Sequence, residues 1–587
     1  MRTATDRFFD TLLPGLAGIL TGVMTVVVFL QVLGRYVFQY PLPWSEELAR
    51  YLFIWSSLLG AAIALHRGAH ISLGLLRPAG QGAILHQQCL DLGLAVFLTF
   101  LLVEGFRLTL LTTGQPSPAL QVPMALIYAA VPTSAALMLV ALFRRLFTGG
   151  GHGGGRGAAP VAVILFAGFL ALIVLNLPIA FSLGVASLTA ILVKGELPLA
   201  VIPQRIIVGL DVFALLAVPL FILAGCLMDT GGISRRLIRF ADALVGRIRG
   251  GLGMVAVLAT LFFSGISGSS SADTAAIGAT LIPQMIKRGY PPEKATAIVA
   301  SAGATGILIP PCMTMVIYGI LAETSIAVLF MAGVLPGLLL GLAMMVLTAF
   351  LAPLPPSLSL SGSVWREIRG SAMEASLALL LPAIIMGGIL TGVFTATEAA
   401  VVAVVYGCAV ALGYYRDLRL SDLPGILVRT AVTSGVVMIL TGMASSFAWI
   451  LARERIPQTI AGWIVRVSDS PWVFLLLVNI LFLLVGMVID GIPALIVLVP
   501  ILVPIAKALQ IDLIHLGIIL VLNLGIGTVT PPVGVCLFVA SSISGVPVIK
   551  TVRPLLPYVG VMILVLLVMT YLPGVTLFLP RVLMGYR

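Results

Sequence analysis

Apolar runs of 17 to 25 residues recur along almost the whole chain and are separated by short polar connections. A run of this length crosses about 30 Å of hydrocarbon as an α-helix. The runs are continuous and do not alternate, which excludes a transmembrane β-barrel. The first run, near 11–33, is longer than the core of a signal peptide and lacks a small-residue cleavage site. The pattern therefore predicts an all-α polytopic membrane protein whose first span begins near the N-terminus.

One glycine-rich segment, "FTGGGHGGGRGAAP" at 147–160, has the composition of a flexible linker. It separates a small module, 1–146, from a large module, 161–587. The small module has four predicted spans, near 11–33, 48–65, 85–106 and 124–143.

The segment "PLPWSEELARYLFIW", 41–55, predicts a short interfacial helix that runs into the second span. Its Glu46 and Glu47 have two interpretations, anchoring at the membrane surface or a catalytic pair, and we favour anchoring.

Basic residues indicate which ends of the spans face the cytoplasm. In the large module, Arg249 and Lys287 bracket a stretch that is too short for two spans and a turn. This stretch predicts a re-entrant hairpin with a polar tip at 264–273. A second interruption, "SAGATGILIPP" at 301–311, predicts a broken membrane helix. Charge alone leaves the number of spans near 143–200 open.

The large module contains an internal repeat. A shift of 221 positions superimposes glycines and prolines that interrupt its apolar runs. It places Gly265 on Gly486, Pro283 on Pro504, Gly306 on Gly527, and Pro310 and Pro311 on Pro531 and Pro532. The two copies cover about 161–352 and 371–577, and the second hairpin has its tip at 486–494. Five crossings per copy is an odd number, so the second copy is inverted in the membrane. Inverted repeats with hairpins and broken helices are typical of secondary transporters.

The hairpin tips and helix breaks supply candidate ligands for a cation. Backbone carbonyls freed there, with serine, threonine and carboxylate oxygens, form a shell suited to a hard cation, and sodium is the abundant candidate. The first predicted sodium site contains Ser267, Ser269, Ser270, Asp273, Ala304, Thr305 and Gly306. The second contains Asp490, Gly525, Gly527, Thr528 and Thr530.

The same region predicts a substrate cavity. Helix N-termini aimed into it favour an anionic group. Its predicted lining is Ser269, Ser270, Pro310, Pro311, Pro531 and Pro532. The alternative is that these small residues only allow close helix packing. Glu398 is a further membrane-embedded carboxylate, either functional or a helix cap, and Asp211 is predicted to be interfacial.

Composition excludes several functions. Only 9% of residues are charged, and the net charge of +11 fits basic cytoplasmic loops without requiring nucleic acid. The chain has no G-x-x-x-x-G-K-[ST] motif, so ATP hydrolysis by that route is not expected and no cofactor is indicated. Five cysteines occur singly in apolar surroundings and are predicted to pack as small hydrophobic residues: Cys89, Cys226, Cys312, Cys408 and Cys536. The histidines show no metal-site spacing.

Three long motifs, "GISGSSSADTAAIG", "SAGATGILIPPCMTMVIYG" and "LNLGIGTVTPPVGVCLF", resemble the large membrane subunit of tripartite ATP-independent periplasmic (TRAP) transporters. "RYVFQYPLPWSEELARYLFIW" and "GAAIALHRGAHISL" resemble the small subunit. The resemblance implies a fused small (DctQ-like) and large (DctM-like) permease of the bacterial inner membrane. It also implies sodium-coupled symport of organic acids, such as C4-dicarboxylates or sialic acid, received from a periplasmic binding protein by an elevator mechanism. Ser271, Cys312 and Thr314 depart from the usual family pattern.

Two other functions are compatible with parts of the pattern. A binding-protein-independent, ion-coupled anion carrier would share the inverted hairpins, although it has no need of a small module. An intramembrane enzyme would need a His-Asp or Ser-Lys constellation, which the spans lack. The sequence leaves the transported acid, the sodium stoichiometry and the oligomeric state open.

Overall fold

A computed structural model describes residues 8–586, with gaps at 68–80, 147–164, 166–167, 170, 174, 176, 196, 352–363, 457–458, 460–469, 488–490 and 532–533. The side chains of 81–89, 143–146 and 364 also lie outside the description. The predicted linker 147–160 and the side chain of Cys89 therefore lie outside the described residues. Across the described ranges the chain is helical apart from turns and one isolated bridge between Pro116 and Pro123.

Eleven helices in the described part of the chain are long and apolar enough to cross a membrane. A further pair, Pro292–Leu308 and Met313–Leu321, forms a span bent by 41°. The prediction of an all-α polytopic membrane protein is confirmed.

The described chain forms two compact units, each made of two separate chain segments. The first unit consists of Met1–Pro219 and Asp422–Ile460, and the second of Leu220–Ser421 and Ala461–Arg587. The main helices of the first unit are Leu13–Tyr36, Pro43–His66, Gln81–Leu111, Ala130–Leu146, Ile179–Lys194, Val201–Leu210 and Leu423–Arg453.

In the first unit, the long helix Leu423–Arg453 packs against Leu13–Tyr36, Pro43–His66, Ile179–Lys194 and Val201–Leu210. Its closest crossing is with Pro43–His66 and depends on two glycines. A Cβ atom at Gly60 would overlap the carbonyl oxygen of Ala431, and one at Gly435 would lie 2.7 Å from the carbonyl oxygen of Ser57. Small residues at such a crossing let two membrane helices approach backbone to backbone.

Glu47 has a structural role in the first unit. It is buried, and it accepts hydrogen bonds from the backbone N–H groups of Ala119 (2.6 Å) and Leu120 (3.0 Å) and from the hydroxyl of Tyr51 (2.5 Å). These bonds hold the connection between the third and fourth helices against Pro43–His66. Glu46 is exposed, so the two carboxylates do not form a pair facing one site.

Asp211 ends the helix Val201–Leu210 and forms an ion pair with Arg50 at 2.9 Å. Its side chain is partly exposed, as expected for an interfacial position. A second ion pair in this unit joins Lys194 to Glu454 at 2.7 Å.

The second unit contains the hairpins and broken helices. A surface helix, Ile233–Val245, precedes the first hairpin, Gly251–Ser267 and Ser270–Lys287. The first broken helix is Pro292–Thr305 and Met313–Leu321, followed by the span Ile326–Leu351. After this span come Val364–Leu390 and Ala396–Cys408, which precede the second hairpin.

The second copy reproduces this order. Its hairpin is Pro471–Gly486 and Gly491–Ala508, its broken helix is Leu513–Gly527 and Val535–Ser544, and its last span is Val548–Tyr571. A shift of 221 positions places the two hairpin helices, the two halves of the broken helix and the last span of the first copy within two residues of their counterparts at both ends. The chain ends with the helix Pro573–Met584.

Glu398 caps a helix. Its backbone N–H donates to the hydroxyl of Thr395 (3.3 Å), and its carboxylate accepts from the Thr395 backbone N–H (2.8 Å). This reciprocal pair is a capping box at the start of Ala396–Cys408. Of the two interpretations of Glu398, the structure supports the helix cap.

Candidate functional site

The tip of the first hairpin is a two-residue turn. Gly268 adopts a left-handed φ of +63°, and Ser269 is extended before the second arm begins at Ser270. A side chain at Gly268 would come within 2.9 Å of the Pro311 carbonyl oxygen. The Gly268 carbonyl in turn accepts a long hydrogen bond, 3.5 Å, from the Met313 N–H. The tip therefore lies directly against the break in the neighbouring helix.

Asp273 joins the two arms of this hairpin. It is fully buried in the second arm, and its two carboxylate oxygens accept hydrogen bonds from the hydroxyls of Ser264 and Ser267 in the first arm. Ser264 is absent from the residues proposed from the sequence. Its spacing of three from Ser267, which puts both hydroxyls on one helix face, is the signal that would have included it.

The first helix break is packed against this carboxylate. A Cβ atom at Gly306 would lie 2.7 Å from Asp273 Oδ2 and would overlap Ser264 Oγ, so only glycine fits there. The Thr305 hydroxyl donates to the Ala302 carbonyl at 2.6 Å. The structure thus brings Ser267, Asp273 and Gly306 together.

The second break is held close to its own hairpin. Gly527 lies against the backbone of Gly486, where a Cβ atom at Gly486 would be 3.2 Å from Gly527 Cα. The hydroxyls of Thr528 and Thr530 donate to the carbonyls of Gly525 and Ile526, both at 2.7 Å. Each oxygen keeps lone pairs that can face a cation. Asp490 and Pro532 lie outside the described residues.

The two breaks also meet each other. A Cβ atom at Gly525 would lie 3.0 Å from the carbonyl oxygen of Ala304 and 2.8 Å from Ile307 Cγ2. Residues predicted for the first and the second sodium site are therefore neighbours.

Polar side chains are distributed unequally over the repeat. Under the 221-residue shift, the counterparts of Ser264 and Asp273 are Val485 and Ala494, while those of Thr528 and Thr530 are Ile307 and Ile309. The backbone geometry repeats. The carboxylate of Asp273 and the hydroxyls of Thr528 and Thr530, however, are replaced by apolar side chains at the equivalent positions of the other copy.

A cavity of about 50 Å³ lies between the two hairpin tips and the two breaks. It is lined by the first residues of four helices: Ser270 and Ser271, Met313 and Thr314, Gly491 and Ile492, and Val535 and Cys536. Thr528 and Ile307 complete the wall, with Gly268 and Ser269. Each helix N-terminus carries unpaired N–H groups and about half a positive charge. The cavity therefore favours an anion.

Ser270 stands out among these residues. Its side chain is buried, yet its hydroxyl has no hydrogen-bond partner within the described structure. A buried unsatisfied hydroxyl costs about 1–3 kcal/mol. A ligand in the cavity that accepted a hydrogen bond from this hydroxyl would remove that cost.

Ser269 and Ser270 line the cavity, whereas Pro310, Pro311 and Pro531 lie outside its lining. These prolines lie in the breaks between the two halves of the broken helices, and residues that follow the breaks, such as Thr314 and Cys536, form the wall. Thr314, Ser271 and Cys536 are lining residues that the sequence argument missed. The signal for Thr314 and Cys536 is their place at the start of the helix after each Pro-Pro pair, and the signal for Ser271 is its place beside Ser269 and Ser270 in one serine run.

A buried polar network lies behind the second break. Asn523 Nδ2 donates to Asn479 Oδ1 (2.7 Å), and Asn479 Nδ2 donates to the Thr570 hydroxyl (2.9 Å). His515 contacts the Thr576 hydroxyl at 2.7 Å. These bonds link the second hairpin, the second broken helix, the last span and the C-terminal helix. Among the described residues, no group of three or more His, Cys, Asp or Glu side chains is placed to hold a metal ion.

Two hairpins and two broken helices enclosing one cavity define a membrane protein built like a secondary transporter. The chain belongs to the tripartite ATP-independent periplasmic (TRAP) transporters: the model of the family's DctM component matches residues 166–575, and that of its DctQ component matches residues 24–149.

Similar proteins include both fused and separate permeases. The chain is 36% identical over 567 residues to the isethionate TRAP transporter permease protein DctMQ of Oleidesulfovibrio alaskensis, covering 91% of this chain and 88% of that protein. It is 32% identical to the sialic acid TRAP transporter permease protein SiaT of Haemophilus influenzae, covering 98% and 100%. It is 48% identical over 374 residues to the C4-dicarboxylate large permease protein DctM of Pseudomonas aeruginosa, covering 63% and 86%.

The predicted fused TRAP permease is therefore confirmed. The chain is a multi-pass inner-membrane permease and not an enzyme, because its relatives are named transporter permeases.

Proposed function

We propose that this permease imports an organic acid anion together with sodium, and that it receives the anion from a periplasmic binding protein. The large module would carry both across the membrane by an elevator-type movement. The single observation that carries the proposal is the cavity where four helix N-termini converge beside the two hairpin tips.

The anionic character of the substrate is supported by the cavity wall. The N-termini of four helices, each nine residues long or longer, contribute to it. Each N-terminus attracts a carboxylate or sulfonate oxygen. Ser270 adds an unpartnered hydroxyl that can donate to such an oxygen. The relatives described above are named for isethionate, sialic acid and C4-dicarboxylates, and all three are organic acid anions.

The first proposed sodium site lies at Asp273. This carboxylate is buried, forms no ion pair with a basic side chain within the described residues, and accepts hydrogen bonds from two serine hydroxyls. A sodium ion there would be bound by Asp273, Ser267 and carbonyl oxygens of the break at Ala304, Thr305 and Gly306, with Ser269 and Ser270 completing the predicted set. Carboxylate, hydroxyl and carbonyl oxygens are suitable ligands for a hard cation.

The second proposed site lies at the second break. The carbonyls of Gly525 and Gly527 and the hydroxyls of Thr528 and Thr530 are its ligands. Asp490, which the sequence assigns to the second hairpin tip, completes the predicted set. Thr528 also lines the cavity, so an ion here would neighbour the substrate. Such proximity would couple sodium and anion binding through mutual attraction.

Uptake into proteoliposomes tests the proposal. The probes are radiolabelled succinate, sialic acid and isethionate, each with a purified periplasmic binding protein specific for that anion. We expect that one probe is taken up, that its uptake requires an inward sodium gradient and the matching binding protein, and that ATP has no effect on it. Uptake unchanged when potassium replaces sodium would refute sodium coupling. Rapid saturable uptake without any binding protein would favour the lone-carrier alternative.

A further inference from the structure

A charged cleft of about 600 Å³ lies at the surface of the second unit and shares no lining residue with the cavity between the hairpin tips. Its walls come from the surface helix Ile233–Val245 with Gly232 before it, from Val364–Leu390, and from the end of the π-helix Ala409–Tyr414 with the residues that follow it. The residues that carry its chemistry are Arg235, Arg236, Arg239, Glu374, Tyr415 and Asp417.

The surface helix places this cleft at the membrane boundary. Its apolar residues Ile233, Leu237 and Ile238 are buried, whereas Arg235 and Arg239 are exposed. A helix with such separated faces, lying between two strongly apolar helices, sits in the plane of the lipid headgroups. The cleft therefore opens where phospholipid phosphates are found.

Arg236 lines the cleft and is already paired with neighbouring side chains. Its guanidinium stacks on the Tyr415 ring at 3.7 Å and donates to Asp417 (2.7 Å) and to the Gly232 carbonyl (3.0 Å). The Tyr415 hydroxyl donates to the Glu374 carbonyl at 2.7 Å. These contacts fix the shape of the wall and neutralise the charge of Arg236.

Arg235 and Arg239 are the cations that remain available. They are four residues apart, so their Cβ atoms lie about 5–6 Å from each other on one helix face. Arg239 pairs with Glu374 at 2.9 Å, but both side chains are more than half exposed, and such pairs contribute only about 0–1 kcal/mol. Arg235 forms no ion pair with a carboxylate of the described residues.

We propose that this cleft binds an anionic phospholipid, with the headgroup phosphate held between Arg235 and Arg239. Two guanidinium groups one turn apart can donate to the phosphate oxygens from both sides. Met373 and Tyr414, which line the same cleft, are 67% and 71% exposed. They give the glycerol and upper acyl chain an apolar surface that a soluble phosphate ion would not use. The site is independent of the transport proposal, since it shares no residue with the transport cavity.

Native mass spectrometry of the purified full-length chain tests this site. The protein is incubated with phosphatidylglycerol or with phosphatidylcholine of the same acyl chains, and bound lipid is counted. We expect selective retention of phosphatidylglycerol, reduced about tenfold or more in the Arg235→Gln/Arg239→Gln double variant because charged hydrogen bonds are lost. The matched control is Arg553→Gln, which removes an exposed arginine outside the cleft.

Three outcomes would overturn the proposal: equal retention of both lipids, full retention by the double variant, or displacement of phosphatidylglycerol by inorganic phosphate alone. If the double variant does not fold, Arg235→Gln replaces it, because that change breaks no described ion pair. This single variant should still lower retention severalfold, whereas retention equal to that of Arg553→Gln would exclude the site.

Discussion

Gly486 and Gly527 meet backbone to backbone, at the end of the first arm of the second hairpin and at the second helix break. A methyl group on Gly527 would overlap the carbonyl carbon and Cα of Gly486. Since both partners are backbone, neither can move aside without shifting a helix.

Gly527→Ala should therefore abolish most sodium-dependent uptake while leaving a folded protein, because it displaces the ligands predicted around Thr528. The matched control is Gly560→Ala, a helical glycine with no atom within 4 Å of its added Cβ. Uptake and monodispersity in detergent are the measurements. Wild-type uptake by Gly527→Ala would show that the close approach is dispensable.

Thr528→Val and Thr530→Val test the hydroxyl ligands. Valine keeps the approximate volume of threonine but removes the oxygen, and loss of one polar contact of about 1–3 kcal/mol weakens binding by about 5- to 150-fold. The sodium concentration for half-maximal uptake should rise accordingly. Thr189→Val is the control, because Thr189 makes the same kind of hydrogen bond within its own helix, to Val185, but lies in the first unit. An unchanged half-saturation in both variants would leave only the backbone carbonyls as ligands.

Variants of Ser264 and Ser267 distinguish two roles for Asp273, binding sodium and holding the two arms of the hairpin together. Both hydroxyls donate to this carboxylate, but only Ser267 belongs to the predicted sodium site. We expect Ser267→Ala to raise the sodium half-saturation severalfold and Ser264→Ala to leave it nearly unchanged. The two variants should lose similar thermal stability, because each removes one hydrogen bond to the same buried group. Equal effects on sodium affinity would mean that Asp273 acts only as a tie between the arms.

Glu47→Gln should destabilise the first unit. The N–H groups of Ala119 and Leu120 share Glu47 Oε2, so a glutamine would keep its oxygen there and place its NH2 group at the Tyr51 hydroxyl. That hydroxyl would lose its charged acceptor, at a cost of about 1–3 kcal/mol. Glu46→Gln, at the exposed neighbouring position, should have almost no effect. Thermal unfolding and protease cleavage within 112–122 report the difference. Indistinguishable melting of the two variants would argue against the role of Glu47 in holding this loop.

Glu398→Gln should transport normally, whereas Glu398→Ala should lose about 0.5–2 kcal/mol of stability, because glutamine can complete a capping box and alanine cannot. The measurements are sodium-dependent uptake and the melting temperature. A transport defect in Glu398→Gln at normal stability would instead assign this buried carboxylate a part in the transport cycle.

The sequence was sufficient for the hairpins, the breaks and their repeat, because each is marked by glycine, proline or hydroxyl residues within an apolar run. It could not show that Asp273 is tied to Ser264 or that Gly486 faces Gly527, since both depend on how separate helices pack. The asymmetry between Asp273 and Ala494 was readable from the same alignment. The roles of Glu47 and Glu398 depend on individual hydrogen bonds that no residue pattern specifies uniquely.

The pairing of Gly60 with Gly435 has a consequence for how the protein is made. The helix Pro43–His66 packs against Leu423–Arg453, and Leu423 follows His66 by 357 positions. At about 5–20 residues per second, the ribosome needs roughly 20–70 s to synthesise that interval. Throughout this time the small-residue face around Gly60 is already in the bilayer with lipid as its neighbour. Assembly of the first unit is therefore completed late, after its earlier helices have inserted. A mutation at Gly435 would leave those helices correctly inserted but without this packing contact.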